Sequence, residues 1–394
     1  EFHKASGLWA VELYKADIEM DLRTRNMAGF QLLDIQDYPG QGSAYVGILD
    51  AFMDSKGFVK PSKWRQWCND VVVLAELPKL TFTDGASIVW NSLVANYGKD
   101  GERLNGKTLK WKIVRQNGSI MSEGEETIRG LESGLNKITG VEAIAMLENQ
   151  QVSECVRLKL SIEGEDIHND YSLWIYPRSD FRKRLASLTK GIVVVDSLDS
   201  KTVEKLEKGG VVLMMPHDDM YANQTVGGLV QTDYWNYRMF KTISENNKKP
   251  VSPGTLGLLV NDTKHPLFVN FPTKNHSDWQ WAAIAKKSRP LIMDGMCENY
   301  RPLVQVIDNV ERNHRLGLLF EFSVGKGKLL VCMSDLRSID EYPEVRQLYM
   351  SILEYMQSER FRPHSKLSSE NLLKLFNSKA GAEEVEELCN ISYD

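Results

Sequence analysis

The chain has 394 residues, 42% of them hydrophobic and 26% charged, a globular composition long enough for two or three domains with cores of their own. Its net charge of -5 and pI near 5.9, with basic residues scattered among acids, argue against a nucleic-acid or anionic-membrane partner, either of which would want a basic face. Five cysteines lie far apart with no CxxC pair, so neither a zinc site nor a disulfide-stapled mini-fold is supported, and no apolar run reaches membrane-spanning length.

Residues 1–4 read as the middle of a helix, with no initiator Met and no signal-type segment, so a piece of a longer protein is expected. Leu8, Val11, Leu13, Tyr14, Ile18 and Leu22 recur at helical spacings. A short apolar run, Gly29-Phe30-Gln31-Leu32-Leu33, then enters a polar, Gly-rich loop from Asp34 to Gly42. Helix, strand and a loop rich in acids and amides form one unit of a parallel α/β barrel. Residues 77–178 read as all-β. Leu109, Trp111 and Ile113 alternate with lysines, Asn117-Gly118 is a hairpin turn, and Val156, Leu158, Leu160 and Ile162 then Tyr171, Leu173 and Ile175 repeat the alternation. That spacing suggests a sandwich of immunoglobulin-like size.

From about 186 to 361 the pattern changes to α/β. The apolar run 191–195 ends on Asp196, a short helix around 202–208 stops at Gly209-Gly210, and a second run covers 211–215. Later strands are expected at 303–307, 316–322 and 328–333, with a helix from Pro343 burying Val345, Leu348, Tyr349, Ile352, Leu353 and Met356. Gly325-Lys326-Gly327-Lys328 lacks the spacing of a phosphate-binding loop and reads as a hairpin turn. The expected fold class is therefore multidomain, α/β plus all-β. It comprises the terminal piece of a (β/α)8 barrel (1–76), a β-sandwich (77–178), a Rossmann- or flavodoxin-like α/β domain (186–361) and a polar helical tail (362–394).

Asp34, Gln36, Asp37 and Gln41 are short hydrogen-bonding groups on a loop of the kind that touches substrate in α/β barrels, and they suit sugar hydroxyls. The same aspartates could instead cap the following segment while the glycines turn the chain. Tyr234, Trp235, Trp279 and Trp281 are candidates for stacking on sugar rings, with core packing as the competing role. His217-Asp218-Asp219 has metal-ligand residue types but no partner cluster in the sequence, and reads as a polar loop.

The run from Gly29 to Gly42, continuing through Gly47-Ile48-Leu49-Asp50-Ala51-Phe52-Met53-Asp54-Ser55-Lys56-Gly57, resembles the eighth barrel strand of a bacterial group of family 2-like glycoside hydrolases. Trp174-Ile175-Tyr176-Pro177, Asp278-Trp279-Gln280-Trp281, Gln305-Val306-Ile307-Asp308-Asn309 and Gly325-Lys326-Gly327-Lys328-Leu329-Leu330 are also similar to that group, whereas Tyr38 stands where it more often has phenylalanine. The resemblance implies a retaining glycosidase acting on β-linked sugars, its two carboxylates ~5 Å apart. In that family these glutamates end strands four and seven, both expected before residue 1, so no catalytic residue is assigned here. The resemblance further implies an oligosaccharide or polysaccharide substrate, no cofactor, a periplasmic or secreted location, and an accessory α/β domain that buttresses the barrel, shapes the cleft or serves a homo-oligomer. The alternative is a noncatalytic carbohydrate-binding or assembly protein.

Overall fold

The computed structural model describes residues 1–32, 35–38, 47–149, 152–217, 220–227, 246–247, 255–309 and 312–377. The chain separates into two compact units. One comprises Glu1–Trp9, Tyr38–Val46 and Ser179–Asp394, and the other Ala10–Asp37 and Gly47–Arg178. Helix α1 (Phe2–Arg23) contributes residues to both.

The unit built from Ala10–Asp37 and Gly47–Arg178 is a two-sheet sandwich. Strands β1 (Val71–Glu76), β3 (Ser87–Asn96) and β6 (Gly134–Ile144) form an antiparallel sheet in the order β1-β3-β6. The second sheet runs β2-β8-β7-β4-β5, from β2 (Thr81–Thr83), β4 (Thr108–Val114), β5 (Ile120–Thr127), β7 (Glu154–Ile162) and β8 (His168–Tyr176). Val156, Leu158, Leu160 and Ile162, the alternating residues of β7, all enter the core between the sheets. On β4, Trp111 lies across its partner Gly124, where a Cβ would come within 2.5 Å of the indole, and meets Trp90 edge-on at 5.1 Å. The sheet β1-β3-β6 is covered on its other face too. Val73 and Ala75 join the sandwich core, while Val72 and Leu74 pack with Val11, Ile18 and Leu22 of α1 and with Trp67. Burial on both faces explains why β1 is a continuous apolar run.

The buried line of α1 also carries charge. Lys15 and Glu19, one helical turn apart, are both buried and pair with each other. Lys15 Nζ donates to Asn169 Oδ1 at 2.6 Å and sits over the rings of Tyr171 (4.3 Å) and Trp67 (5.3 Å). Asn169 Nδ2 donates to Glu19 Oε1 at 2.8 Å, to Val73 O at 2.9 Å and to Tyr171 Oη at 3.0 Å. Burial first, and then the Glu19 charge, push the Tyr171 phenol well above its ordinary value.

Residues 29–32 form no strand, and Phe30 is exposed. Nearby, isolated bridges join Gln36 to Leu49 in the parallel sense and Leu49 to Ser55 in the antiparallel sense. A barrel strand needs a hydrogen-bonded neighbour on each side, and among the described residues none pairs with 29–32, while Leu33 and Asp34 lie outside the described residues.

The α/β unit is built on one mixed sheet. Its path is β11-β13-β14-β15-β10-β9, with β12 and β16 also pairing β14. The strands are β9 (Ile192–Val195), β10 (Val211–Met214), β11 (Gly257–Val260), β12 (Leu291–Ile292), β13 (Val304–Ile307), β14 (Arg315–Val324), β15 (Gly327–Cys332) and β16 (Lys366–Leu367). Between β9 and β10 runs α4 (Ser200–Glu207), capped by Asp199, whose Oδ1 accepts from Thr202 N at 2.7 Å. Gly209, at φ 98°, ends it. Short α3 (Phe181–Leu188) precedes β9.

β9, β10 and β15 pair parallel to one another, and β16 pairs parallel to β14. β14 is antiparallel to β15, β12 and β13, and β13 to β11. This corrects the flavodoxin-like expectation. The hairpin turn at Gly325-Lys326 is itself the reason, because a two-residue connection can join only antiparallel neighbours. On α6 (Pro343–Gln357) all six expected residues are buried. The tail carries β16 and α7 (Ser369–Asn377), which buries Leu372, Leu375 and Phe376, so it is less polar than its composition suggests. Two shorter helices are α2 (Pro61–Trp64) and α5 (Ala282–Lys286).

Candidate functional site

Of the loop residues with a candidate sugar-binding role, Gln36 and Asp37 are described, and Asp34 and Gln41 lie outside the described residues. The backbone at Gln36 is tied down on both sides: Asp37 N donates to Leu49 O and Leu49 N to Ile35 O, each at 3.0 Å. Asp37 Oδ1 accepts from Gly47 N at 3.0 Å and from Lys56 Nζ at 2.6 Å, and Lys56 Nζ also donates to Gly47 O at 2.9 Å. Both side chains of the pair are nearly closed off from water, at 11% exposure for Asp37 and 6% for Lys56. Gly47 packs so closely on the Gln36 backbone that a Cβ would fall 2.3 Å from the Gln36 carbonyl carbon. Residues 50–54 then make a tight turn in which Asp50 Oδ1 accepts from Phe52 N and Asp54 N, both at 2.9 Å. Met53 is held there at φ 69°, and Phe52 is 85% exposed at the tip.

An aspartate whose Oδ1 accepts from a backbone amide and a lysine of its own loop is a loop-setting group. Asp37→Asn is expected to weaken that loop by about 1.5–3 kcal/mol, the usual worth of a hydrogen bond to a charged group. Hydrogen exchange at the Gly47 amide should accelerate more than tenfold. An unchanged rate would mean that the Asp37–Lys56 pair does not hold the loop.

Tyr234 and Trp235 lie outside the described residues. Trp279 and Trp281 sit in a 3-10 turn begun by Asp278, whose side chain accepts from Gln280 N at 3.2 Å. Trp281 is 1% exposed, meets Phe271 edge-on at 5.1 Å, and its Nε1 donates to Thr273 Oγ1 at 2.8 Å. That burial makes Trp281 a core side chain with no ring face open for stacking on a sugar. Trp279 is half-buried, edge-on to Trp9 at 5.0 Å.

A polar constellation in the α/β unit escaped the sequence reading. Asp196 follows β9, His217 follows β10 and Asp335 follows β15, so the carboxyl ends of three adjacent parallel strands bring them together. His217 Nδ1 lies 2.9 Å from Asp335 Oδ2, and Nε2 lies 3.6 Å from Asp196 Oδ1. Arg337 bridges both carboxylates, at 2.5 Å from Asp196 and 3.0 Å from Asp335, and donates to Met215 O at 2.7 Å. Burial by itself would raise the Asp335 carboxyl, but hydrogen bonds from His217 and Arg337 and their charges outweigh it and hold the group low. The legible signal was positional, a polar residue shortly after each of three apolar strand runs. The neighbouring Cys332 thiol is pushed up to about 12 by burial and is a core group. Among the described residues no group of three His, Cys, Asp or Glu could hold a metal ion, and no helix is long and apolar enough to cross a membrane.

Two stretches match protein families. Residues 193–377 match a domain of unknown function (DUF8487), and residues 88–177 another domain of unknown function (DUF8488). Comparison with curated proteins finds no match. Among solved structures, 38% of the chain is similar to 24% of the Parabacteroides merdae β-glucuronidase with glycerol in its active site, at 8% identity and a TM-score of 0.20. Another 36% match covers 26% of a glycosyl hydrolase family 2 member from Bacteroides cellulosilyticus, at 12% identity and a TM-score of 0.19. A 29% match covers 7% of Salmonella α-2-macroglobulin reacted with methylamine, at 14% identity and a TM-score of 0.20. The chain thus spans no more than 26% of any of these three proteins, and its likeness to family 2 glycosidases is weak and of low coverage.

Proposed function

We propose that this chain is the carboxyl-terminal part of a retaining glycoside hydrolase acting on β-linked glycans, and that the two catalytic carboxylates lie outside it. The observation that carries this reading is the sequence run 29–57, whose loop resembles the segment after the last barrel strand of family 2-like enzymes. The geometry of that loop is compatible with the role. The Asp37–Lys56 pair fixes it internally, leaving the half-exposed Gln36 amide and the exposed Phe52 ring as the groups a sugar would meet. An amide can both donate to and accept from hydroxyls, and an aromatic face covers the apolar face of a pyranose. In this reading Asp34 and Gln41 belong to the same substrate-facing loop, and the α/β unit is a noncatalytic module of the enzyme.

The chain on its own is expected to turn over no aryl β-glycoside, because hydrolysis with retention needs a nucleophile and an acid/base that it does not supply. A panel of aryl β-glycosides tests this directly. Turnover abolished by a point substitution within the chain would overturn the proposal.

A further inference from the structure

We propose that a pocket in the α/β unit, between α6 and segment 265–270, binds a neutral sugar ring, a pyranose. Its lining combines Pro266, Leu267 and Val269 with Asn270, Ser351 and Glu354, and the pocket encloses about 450 Å³ counting its open mouth. That volume is in the range of small-molecule sites and leaves room for a six-membered ring with its hydroxyls. The described lining includes no residue of 29–57, so the site goes beyond the reading of the chain as part of a glycosidase.

One wall is apolar and is fastened to α6. Pro266–Phe268 form a 3-10 turn begun by His265, whose Nδ1 accepts from Leu267 N at 3.4 Å. The His265 ring meets Tyr355 of α6 edge-on at 4.9 Å, and Leu267 and Phe268 are buried. Val269, the next residue, is left 60% exposed at the pocket. An aliphatic wall of this kind suits the face of a pyranose that carries ring hydrogens, because both surfaces gain by leaving water.

The other wall is polar, and its carboxylate already has a counter-charge. Glu354 Oε1 accepts from Arg184 of α3, and Oε2 from Asn270 Nδ2 at 2.7 Å. Each oxygen keeps a further acceptor direction, which suits two neighbouring hydroxyls, while Arg184 supplies the charge that a cationic ligand would otherwise bring. Ser351, one turn earlier on α6, is 2% exposed, and its Oγ has no hydrogen-bond partner. Burying a hydroxyl without a partner is costly, and a ligand hydroxyl can both donate to it and accept from it. Ser358 shapes the rim. Its Oγ donates to Tyr355 O at 2.7 Å and accepts from Arg360 N at 3.2 Å, which holds Arg360 at the exposed edge.

The test is ligand-observed NMR titration of the whole chain with D-glucose, D-galactose, D-mannose and D-xylose, and with putrescine and sodium acetate as charged controls. Saturable binding of at least one of these sugars is expected, with a Kd of about millimolar for a ligand of this size. Ser351→Ala should weaken it by about three- to tenfold, and Glu354→Gln by about tenfold or more. Ser351→Ala should also leave the melting temperature of the sugar-free protein unchanged or raise it, since the hydroxyl it removes makes no bond. A serine with a structural role would lower it. If Glu354→Gln does not fold, the Ser351→Ala titration decides the matter. The proposal is overturned by an absence of saturable sugar binding, by an affinity unmoved in Ser351→Ala, or by putrescine or acetate binding more tightly than every sugar.

Discussion

Glu19→Ala is expected to destabilise the sandwich unit by about 3–5 kcal/mol, the usual cost of leaving a buried charge without its counter-charge. Glu19 is 2% exposed, and its carboxylate is the anionic partner of Lys15, which is itself buried. Without it, the ammonium keeps one amide oxygen, Asn169 Oδ1, and the faces of Tyr171 and Trp67. Those contacts lessen the desolvation of a cation but do not neutralise it. The double variant Lys15→Met, Glu19→Leu should recover most of the loss, since both charges leave together. Asn169 would still donate to Val73 O and Tyr171 Oη and accept from Asp170 N at 2.9 Å. Urea titration read by hydrogen exchange of β1 and β8 measures both effects. A single variant within 1 kcal/mol of wild type would show that water reaches Lys15, and a double variant as unstable as the single would show that shape outweighs charge here.

The second large effect is a pH dependence of the α/β unit. Glu321 on β14 is buried, and burial pushes its carboxyl up to about 7, partly opposed by the Tyr355 hydroxyl on α6 and by the Lys328 charge. Tyr355 Oη reaches both carboxyl oxygens, at 3.1 and 3.0 Å. The folded group binds its proton more tightly than the unfolded one, whose value is near 4.5. Its contribution to stability is therefore complete below pH 4.5 and is lost as pH rises through 7, a change of about 3 kcal/mol for a shift of this size. Glu321→Gln, which can keep a bond with Tyr355, should match wild type near pH 4.5 and exceed it by up to about 3 kcal/mol above pH 7. Melting curves of the two proteins at pH 5 and pH 8 decide the point. Curves that stay parallel across that range would mean that Glu321 is solvated or paired in a way that removes the shift.

What the sequence by itself determined was local. Alternation placed β4, β7 and β8, because a strand half-buried against one core must repeat every second residue. Helical spacing marked the buried face of α6, and Gly209 marked the end of α4, where a left-handed residue closes the helix at little steric cost. The turn at Gly325-Lys326 even contained the correction to the parallel-sheet expectation, since its shortness forces β14 against β15 in the antiparallel sense. Tertiary structure alone decided the rest. It buried Lys15 and Glu19 on a helix line where pattern favours apolar residues, because Asn169 and two aromatic faces, more than a hundred residues away along the chain for the amide, complete their solvation. It put Trp281 in the core and turned Asp37 inward onto Lys56. And it gathered Asp196, His217 and Asp335 from three separate runs into one site, since strand order and direction depend on long-range pairing that no local pattern encodes.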